Sequence, residues 1–382
     1  MRGHVRKRCP KPAAGLPPCA SNCGHAWAYV VEVAADDGGR RKQVWRSGFR
    51  TKREASAALA HALVEAEGPT ASTLRVEQYL REWLEHLHRK PATLATYRSM
   101  LDQRLIPAVG DVLLAQLTGE TLRNAYASWL VEGLSSSTVQ LMHQVFNKAL
   151  GDAQRRGLIP TNPARSVEAP RKALVEMRTW TRDEAVRYLG HVANDRLFAM
   201  WRLFLTTGMR RGEVAALRWG DVDLDAARVS IRQTGNVIDR VWTVGTPKGR
   251  GRGATRLLSL DPGTVAALRA HRDRQSYERS AAGEFWQENG LVFCRENGTP
   301  LNPTRIGHRL TVRAGQAGLP HIRVHDLRHT YATLALLAGV HPKVVSERLG
   351  HANIAITLTL YSHVTEGMDR SAADLVAQLL DE

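Results

Sequence analysis

Thr206-Thr207-Gly208-Met209-Arg210-Arg211-Gly212-Glu213 places a glycine where one helical pattern stops and an arginine where the next opens. The first turn of a helix offers unpaired N–H groups and the positive end of its dipole, so Arg210 stands where an anion is already favoured. Taken alone, the stretch reads as readily as a surface arginine at a helix start. Thr246-Pro247-Lys248-Gly249-Arg250-Gly251-Arg252-Gly253 is a glycine-rich turn between two strand patterns, and its three basic side chains can approach a phosphodiester closely. The plainer reading is a flexible basic hairpin. In His325-Asp326-Leu327-Arg328-His329-Thr330-Tyr331, His325 and Arg328 are three apart and share a helix face, with Leu327, Thr330 and Leu334 behind them. Histidine exchanges a proton near neutral pH, and the arginine fork grips two phosphate oxygens at once. A part-buried histidine beside a salt-bridged arginine is the competing reading. Leu349-Gly350-His351 is followed ten residues later by Tyr361-Ser362-His363. A tyrosine hydroxyl titrates near ~10, so it becomes a nucleophile only where cations stabilise its phenolate.

These side chains act together only if the elements that carry them bring them to one place. Around them the pattern predicts helices near 181–191, 195–207, 211–218, 262–278, 303–316, 326–338 and 342–350, and a last one near 368–380. Strand patterns lie near 227–233, 238–245 and 254–260. Upstream, Leu74 to Val167 is helical throughout. Val76, Tyr79, Leu80, Trp83 and Leu84 share one face, and further helices open at Pro91 and near Gly119. Ser135-Ser136-Ser137 caps a long helix that turns Val139, Met142, Phe146, Ala149 and Leu150 inward, and Gly157, Pro160 and Pro163 end it. Nearer the start, Trp27–Val33 and Arg40–Phe49 read as strands joined through Asp36-Asp37-Gly38-Gly39. Thr51-Lys52-Arg53-Glu54 is a capping box that opens a helix to about Glu67. Trp27 and Trp45 are expected to pack between this sheet and its helix. The expected domains are residues 1–68, 72–168 and 178–382, with Gly68-Pro69-Thr70 and Pro170-Arg171-Lys172 as linkers.

The chain has 382 residues, with 53 Lys+Arg against 37 Asp+Glu, a net charge of +16 and a pI near 10.2. So large a basic excess points to a polyanion, most commonly nucleic acid. No apolar run approaches the roughly 18 residues of a membrane span, and four cysteines exclude a disulfide framework as the basis of the fold. A cytoplasmic protein that works on the nucleoid is expected.

In order and context the four stretches resemble the tyrosine recombinase (phage integrase) family, whose active site runs Arg, Lys, His-x-x-Arg, His or Trp, then Tyr. Here these are Arg210, Lys248, His325-x-x-Arg328, His351 and Tyr361, within Thr-Gly-x-Arg, Leu-Arg-His-Thr and Leu-Gly-His. The helical segment resembles the family's core-binding domain. The first ~68 residues resemble the arm-binding domain of integrases, particularly those of actinobacterial phages and integrative elements. The fold implied is α+β and mostly α. It comprises a three-stranded sheet with a helix, a four-helix SAM-like bundle, and an α-rich catalytic domain with a small antiparallel sheet.

The resemblance implies that Tyr361 attacks the scissile phosphodiester, leaving a 3′-phosphotyrosine and a 5′-hydroxyl. Arg210 and Arg328 would clamp the non-bridging oxygens, with His351 adding a hydrogen bond. Lys248 would be the general acid for the 5′-oxygen, and His325 would assist proton transfer at the tyrosine. Cations carry this chemistry, so no catalytic metal or ATP is implied. Implied partners are double-stranded core and arm attachment sites, further protomers in a homotetramer on DNA, and a host bending protein and excisionase. Candidate DNA contacts are Arg40, Arg41, Lys42 and Arg46 in the first unit, Arg98, Lys148, Arg155 and Arg156 in the bundle, and Arg250 and Arg252 in the glycine-rich turn. Cys9, Cys19 and Cys23, with His25 or His4, are candidate ligands of a structural zinc, against reduced thiols in a basic arm. The last helix, with Met368, Ala372, Leu375, Val376 and Leu379, is expected to dock on its own domain or on a neighbouring protomer. Three alternatives stand beside an integrase: an Xer-like resolver of chromosome dimers, an inactive DNA-binding regulator, and a type IB topoisomerase. The amino-terminal unit argues against the first, and the complete catalytic set against the second.

Overall fold

In the computed structural model the described residues are 3–7, 9, 24–33, 42–66, 73–171, 178–247, 255–351, 353–355, 357, 358, 377 and 380. The chain divides into two units, Met1–Leu174 and Val175–Glu382. The fold is mostly helical with small antiparallel sheets, as expected.

Strands β1 (Gly3–Lys7), β2 (Trp27–Val33) and β3 (Lys42–Phe49) form an antiparallel sheet in that order. The helix Lys52–Ala66 follows. Its start is the expected capping box: the Glu54 N–H donates to the Thr51 hydroxyl at 3.1 Å, and the Thr51 N–H to the Glu54 carboxylate at 3.4 Å. In β1 only Val5 is aliphatic, so hydropathy gave no strand signal there. Trp27 lies beside the ammonium groups of Lys7 and Lys52. Trp45, expected to pack away, stays 41% exposed with the Arg6 guanidinium 4.2 Å over its ring.

The bundle contains the helices Val76–Glu85, Pro91–Met100, Gly119–Val131 and Ser136–Arg155. Thr118 and Ser135 cap the last two through their hydroxyls. The helix that opens at Pro91 continues through a π-helical stretch, Leu101–Leu105, into Ile106–Val109. Pro107 lies just beyond that stretch and has no N–H to donate, so the ordinary ladder is interrupted there. The inward faces read from periodicity are buried, with Tyr79, Leu80, Val139, Met142 and Phe146 fully so. Two polar tips are satisfied across the bundle: Tyr79 Oη donates to the Ala149 carbonyl at 2.6 Å, and Trp83 Nε1 to Asp152 at 2.7 Å.

In the second unit, Trp180, Tyr188, Trp201 and Phe204 form a run of touching rings in the core. Its long helices are Arg182–His191, Phe198–Thr207, Pro262–Ala282, Pro303–Gln316 and Val324–Leu337, with shorter ones at Arg211–Ala215 and Pro342–Leu349. The expected single small sheet is two. Strands β4 (Val222–Asp223), β5 (Arg228–Ile231) and β8 (Arg256–Ser259) pair in the order β4-β5-β8, and β6 (Thr234–Ile238) pairs with β7 (Val241–Gly245) as a separate hairpin. The 238–245 pattern thus contains a turn. Asp239 and Arg240 adopt φ of 48° and 66°, left-handed values that usually fall to Asn and Gly. Among the described residues no helix is long and apolar enough to cross a membrane. The expected helix near 368–380 lies outside the described residues apart from 377 and 380.

Candidate active site

The Phe198–Thr207 helix ends at Gly208, which takes φ +64°. A Cβ there would meet Leu349 Cδ2 at 2.5 Å and Tyr331 Cδ1 at 2.6 Å, so this position requires glycine for both its conformation and its close packing. Two residues on, Arg210 flanks the next helix, and its backbone N–H donates to Glu213 Oε2 at 2.8 Å. Its guanidinium donates to Glu213 Oε1 and to the Gly350 carbonyl, both at 2.9 Å. The Glu213 side chain is 1% exposed and also receives two hydrogen bonds from Arg256, at 3.0 and 2.8 Å. Burial alone would raise the Glu213 pKa, but the hydrogen bonds and charges of Arg256 and Arg210 hold it below the usual carboxylate range.

The Val324–Leu337 helix carries His325 and Arg328. Its start is fixed by Asp326, which accepts the Arg323 N–H at 2.8 Å and pairs with the Arg323 guanidinium. Leu327 and Thr330 are fully buried behind His325 and Arg328, as their spacing predicts. Arg328 is 2% exposed; it donates to the Gly208 carbonyl at 2.8 Å and to the Leu349 carbonyl at 2.5 Å. Burial and the neighbouring Arg210 push its guanidinium down to about 9, which leaves it charged at neutral pH. Gly350, at φ +65°, ends the Pro342–Leu349 helix and turns the chain into His351. His351 Nδ1 lies 2.9 Å from the hydroxyl of the fully buried Thr357. With that hydroxyl donating, the proton sits on Nε2, which then serves as a donor.

Arg210, Arg328, His325 and His351 thus meet in one place. Arg210 and Arg328 hydrogen-bond adjacent carbonyls, Gly350 and Leu349, and both histidines feel both guanidinium charges. The arrangement can hold a phosphate through charged donors and keep imidazoles neutral beside it. Tyr331 packs against this centre, its hydroxyl taken by Arg348 Nε at 2.7 Å. Neither Glu213 nor Thr357 is singled out by the sequence, and Arg256 stands out there only as a third arginine, with Arg250 and Arg252, that crowds the Lys248 turn. Only the position of Glu213, three after Arg210, was a usable signal.

Desolvation, then His329 and Arg328, lower the His325 pKa from 6.5 to about 4; desolvation, then Arg328 and Arg210, lower that of His351 to about 3. Burial also lowers His271 and His329. All four folded values lie below the unfolded 6.5, so as pH falls through that value the unfolded chain takes up protons that the folded chain refuses. Their contribution to stability is complete above pH 6.5 and is lost on acidification towards about 4. The depressed carboxylates Glu213 and Asp326 add to the loss only below their unfolded values, 4.5 and 3.8. The thermal midpoint is therefore expected to fall between about pH 7 and about pH 5, where these histidines dominate the change. A midpoint flat across that range would contradict the neutral-histidine centre.

Lys248, Tyr361, Arg250 and Arg252 lie outside the described residues, as do Arg40, Arg41, Cys19 and Cys23. Lys42 belongs to β3, and Arg46 is exposed on the same strand. Arg98 is exposed; Arg155 pairs with Asp152, and Arg156 with Glu82 at 2.8 Å. Lys148 has its ammonium pushed down by partial burial, then by the charges of Arg89 and Arg155. Arg89 joins it as a candidate that the sequence reading did not name. Cys9 and His25 are exposed, and among the described residues no group of three or more His, Cys, Asp or Glu is placed to hold a metal ion.

Residues 179–368 match the model of the phage integrase family, residues 22–66 that of an arm DNA-binding domain, and residues 75–130 that of the phage integrase N-terminal SAM-like domain. An integrase of Streptomyces ambofaciens is 28% identical over 355 residues, covering 88% of each chain. A XerC-like tyrosine recombinase of Caldanaerobacter subterraneus subsp. tengcongensis is 25% identical over 383 residues, covering 92% of this chain and 96% of the relative. The Tn1549 transposon integrase, solved with a circular intermediate DNA, shares the fold with TM-score 0.67 at 18% identity, over 79% of this chain and 99% of that one. The lambda integrase, solved as a tetramer on a Holliday junction, superposes with TM-score 0.58 at 18% identity, over 89% of this chain and 97% of that one. With matches along most of its length and four of the six motif residues gathered at one centre, the chain belongs to the phage integrase family and is a tyrosine site-specific recombinase.

Proposed function

We propose that this recombinase integrates and excises a mobile element, cutting and rejoining double-stranded DNA through a 3′-phosphotyrosine at Tyr361. The observation that carries the site assignment is the hydrogen-bonded convergence of Arg210 and Arg328 on the loops at Gly208 and Leu349-Gly350, with His325 and His351 both feeling the two guanidinium charges. In the first step the Tyr361 oxygen bonds to phosphorus and the bond from phosphorus to the 5′-oxygen breaks. Arg210, Arg328 and the Nε2–H of His351 donate to the non-bridging oxygens, where negative charge develops. His325, neutral at physiological pH, takes the tyrosine proton, and Lys248 gives one to the departing 5′-oxygen. A 5′-hydroxyl of the partner duplex then reverses the step, and the bond is conserved throughout.

In this reading residues 1–68 bind arm sites through Arg40, Arg41, Lys42 and Arg46. Residues 72–168 grip the core site through Arg98, Lys148, Arg155 and Arg156, and residues 178–382 carry out catalysis with Arg250 and Arg252 on the DNA backbone. The crowding of Lys148 by Arg89 and Arg155 supports a phosphate there, because a clustered positive charge gains from an anion. A homotetramer on DNA fits the chemistry, since four strands are cut and exchanged. A host bending protein, an excisionase and nucleoid association belong to the same proposal. A structural zinc at Cys9, Cys19, Cys23 and His25 rests on cysteine spacing. It predicts about one equivalent of metal in freshly purified, reduced protein, lost when Cys19 and Cys23 become Ser. Metal-free protein would leave the reading of reduced thiols in a basic segment.

The match of residues 22–66 to an arm DNA-binding domain favours an integrase, while the XerC-like relative favours resolution of chromosome dimers. A 70–382 fragment separates the two. It is expected to bind and cleave the crossover core yet lose efficient integration, while a 1–68 fragment binds flanking attachment DNA with a steep salt dependence. A fragment that integrates as well as the full chain would hand the function to the Xer-like reading.

A further inference from the structure

Arg256 opens β8, on the far side of the Lys248 segment in sequence, and its side chain is only 7% exposed. It makes three well-formed hydrogen bonds. Two go to the oxygens of Glu213 at 3.0 and 2.8 Å, and the third runs from Nε to the Arg348 carbonyl at 2.8 Å. Glu213 is the carboxylate that holds Arg210. Arg348 directly precedes Leu349 and Gly350, whose carbonyls hold Arg328 and Arg210. One buried guanidinium therefore braces both the carboxylate and the backbone turn on which the two phosphate-binding arginines rest.

We propose that Arg256 is a positioning residue for strand cleavage, setting the orientation and effective charge of Arg210 through Glu213; this rests on the recombinase reading above. The electrostatic part follows from a count of charges. If Glu213 had only Arg210 as a partner, the two would form a closed ion pair, and a phosphate would have to compete with the carboxylate for the arginine. Because Arg256 meets Glu213 with two hydrogen bonds, the cluster of Arg210, Arg256 and Glu213 keeps a net positive charge directed at the substrate. The geometric part follows from the fork. Lysine at this position would bring a charge without the planar donors that span both carboxylate oxygens and the Arg348 carbonyl.

The test uses full-length protein and a nicked suicide duplex of the attachment core, with the core sequence read from the junction of the excised circle. Single-turnover adduct formation and core affinity are measured for wild type, Arg256→Lys and Arg256→Ala. Each is assayed on the normal phosphodiester and on a methylphosphonate in which one charged oxygen is replaced by methyl. Arg256→Lys is expected to slow adduct formation about 10–100-fold, the range typical of losing a supporting contact, with core affinity within about twofold. Arg256→Ala, which removes the charge as well as the fork, is expected to lose more, and its extra deficit should shrink on the uncharged methylphosphonate, where less positive charge is needed. Arg256→Lys cleaving at the wild-type rate would overturn the proposal. So would an Arg256→Ala deficit that is equal on both substrates, which marks a purely structural brace. Wild-type protein that forms no adduct would overturn the recombinase reading itself, and this proposal with it.

Discussion

Tyr361→Phe is expected to bind attachment-core DNA with near-normal affinity and to form no covalent adduct on a nicked suicide substrate. The substitution removes one oxygen and leaves the arginine and histidine centre intact. That centre binds an anion through charged donors, so affinity for the core should stay within about twofold, because losing an interaction made only in the transition state lowers the rate and spares binding. Without the phenolic oxygen no bond to phosphorus can form, so the loss is complete and not graded. Tyr361 is the last tyrosine in the chain, and Tyr331, the nearest earlier one, has its hydroxyl bound by Arg348. Tyr331 is therefore not poised as a substitute nucleophile. An adduct trapped by the Phe variant, mapped by peptide sequencing to any other residue, would remove Tyr361 from the mechanism. The same assay on wild type separates an active enzyme from an inactive DNA-binding relative.

Much of this architecture was legible from local rules, and its misses share a cause. Pro303–Gln316 has the bounds that periodicity assigned, because Asn302 caps it and Pro303 stands at its first turn. The capping box at Thr181 and Glu184 likewise marks the start of the Arg182–His191 helix. By contrast β1 owes its existence to pairing with β2, a partner some twenty residues away whose pull no window on GHVRK reveals. The hairpin turn at Asp239-Arg240 carries left-handed backbone on residues that seldom announce it. At the site, Arg210, His325, Arg328 and His351 stood out because each sits in a short motif. Arg256 and Thr357 act through partners elsewhere, the buried Glu213 and the ring of His351. A residue whose role is to hold another side chain has no motif of its own, and only the folded chain shows it.

Arg328→Ala is expected to cut single-turnover cleavage by at least about 10²–10³-fold, the loss typical of one transition-state donor, with further loss from disorder in the loops it joins. Its position explains why the loss should exceed that of an ordinary phosphate contact. The side chain is 2% exposed and bonds the carbonyls of Gly208 and Leu349, so it aligns the loop before Arg210 with the turn before His351. Removing it leaves two carbonyls without this donor, at about 1–3 kcal/mol for each that stays buried and unsatisfied, and a lower thermal midpoint should accompany the lost rate. Arg328→Lys divides the two effects. A lysine ammonium restores charge and satisfies one carbonyl, so stability should largely return. It lacks the planar fork that meets both loops and a phosphate oxygen together, so cleavage should stay depressed by about 10²-fold or more. If the Lys variant regained rate in step with stability, Arg328 would be a structural tie between loops, and the clamp on the phosphate would fall to Arg210 and His351 alone.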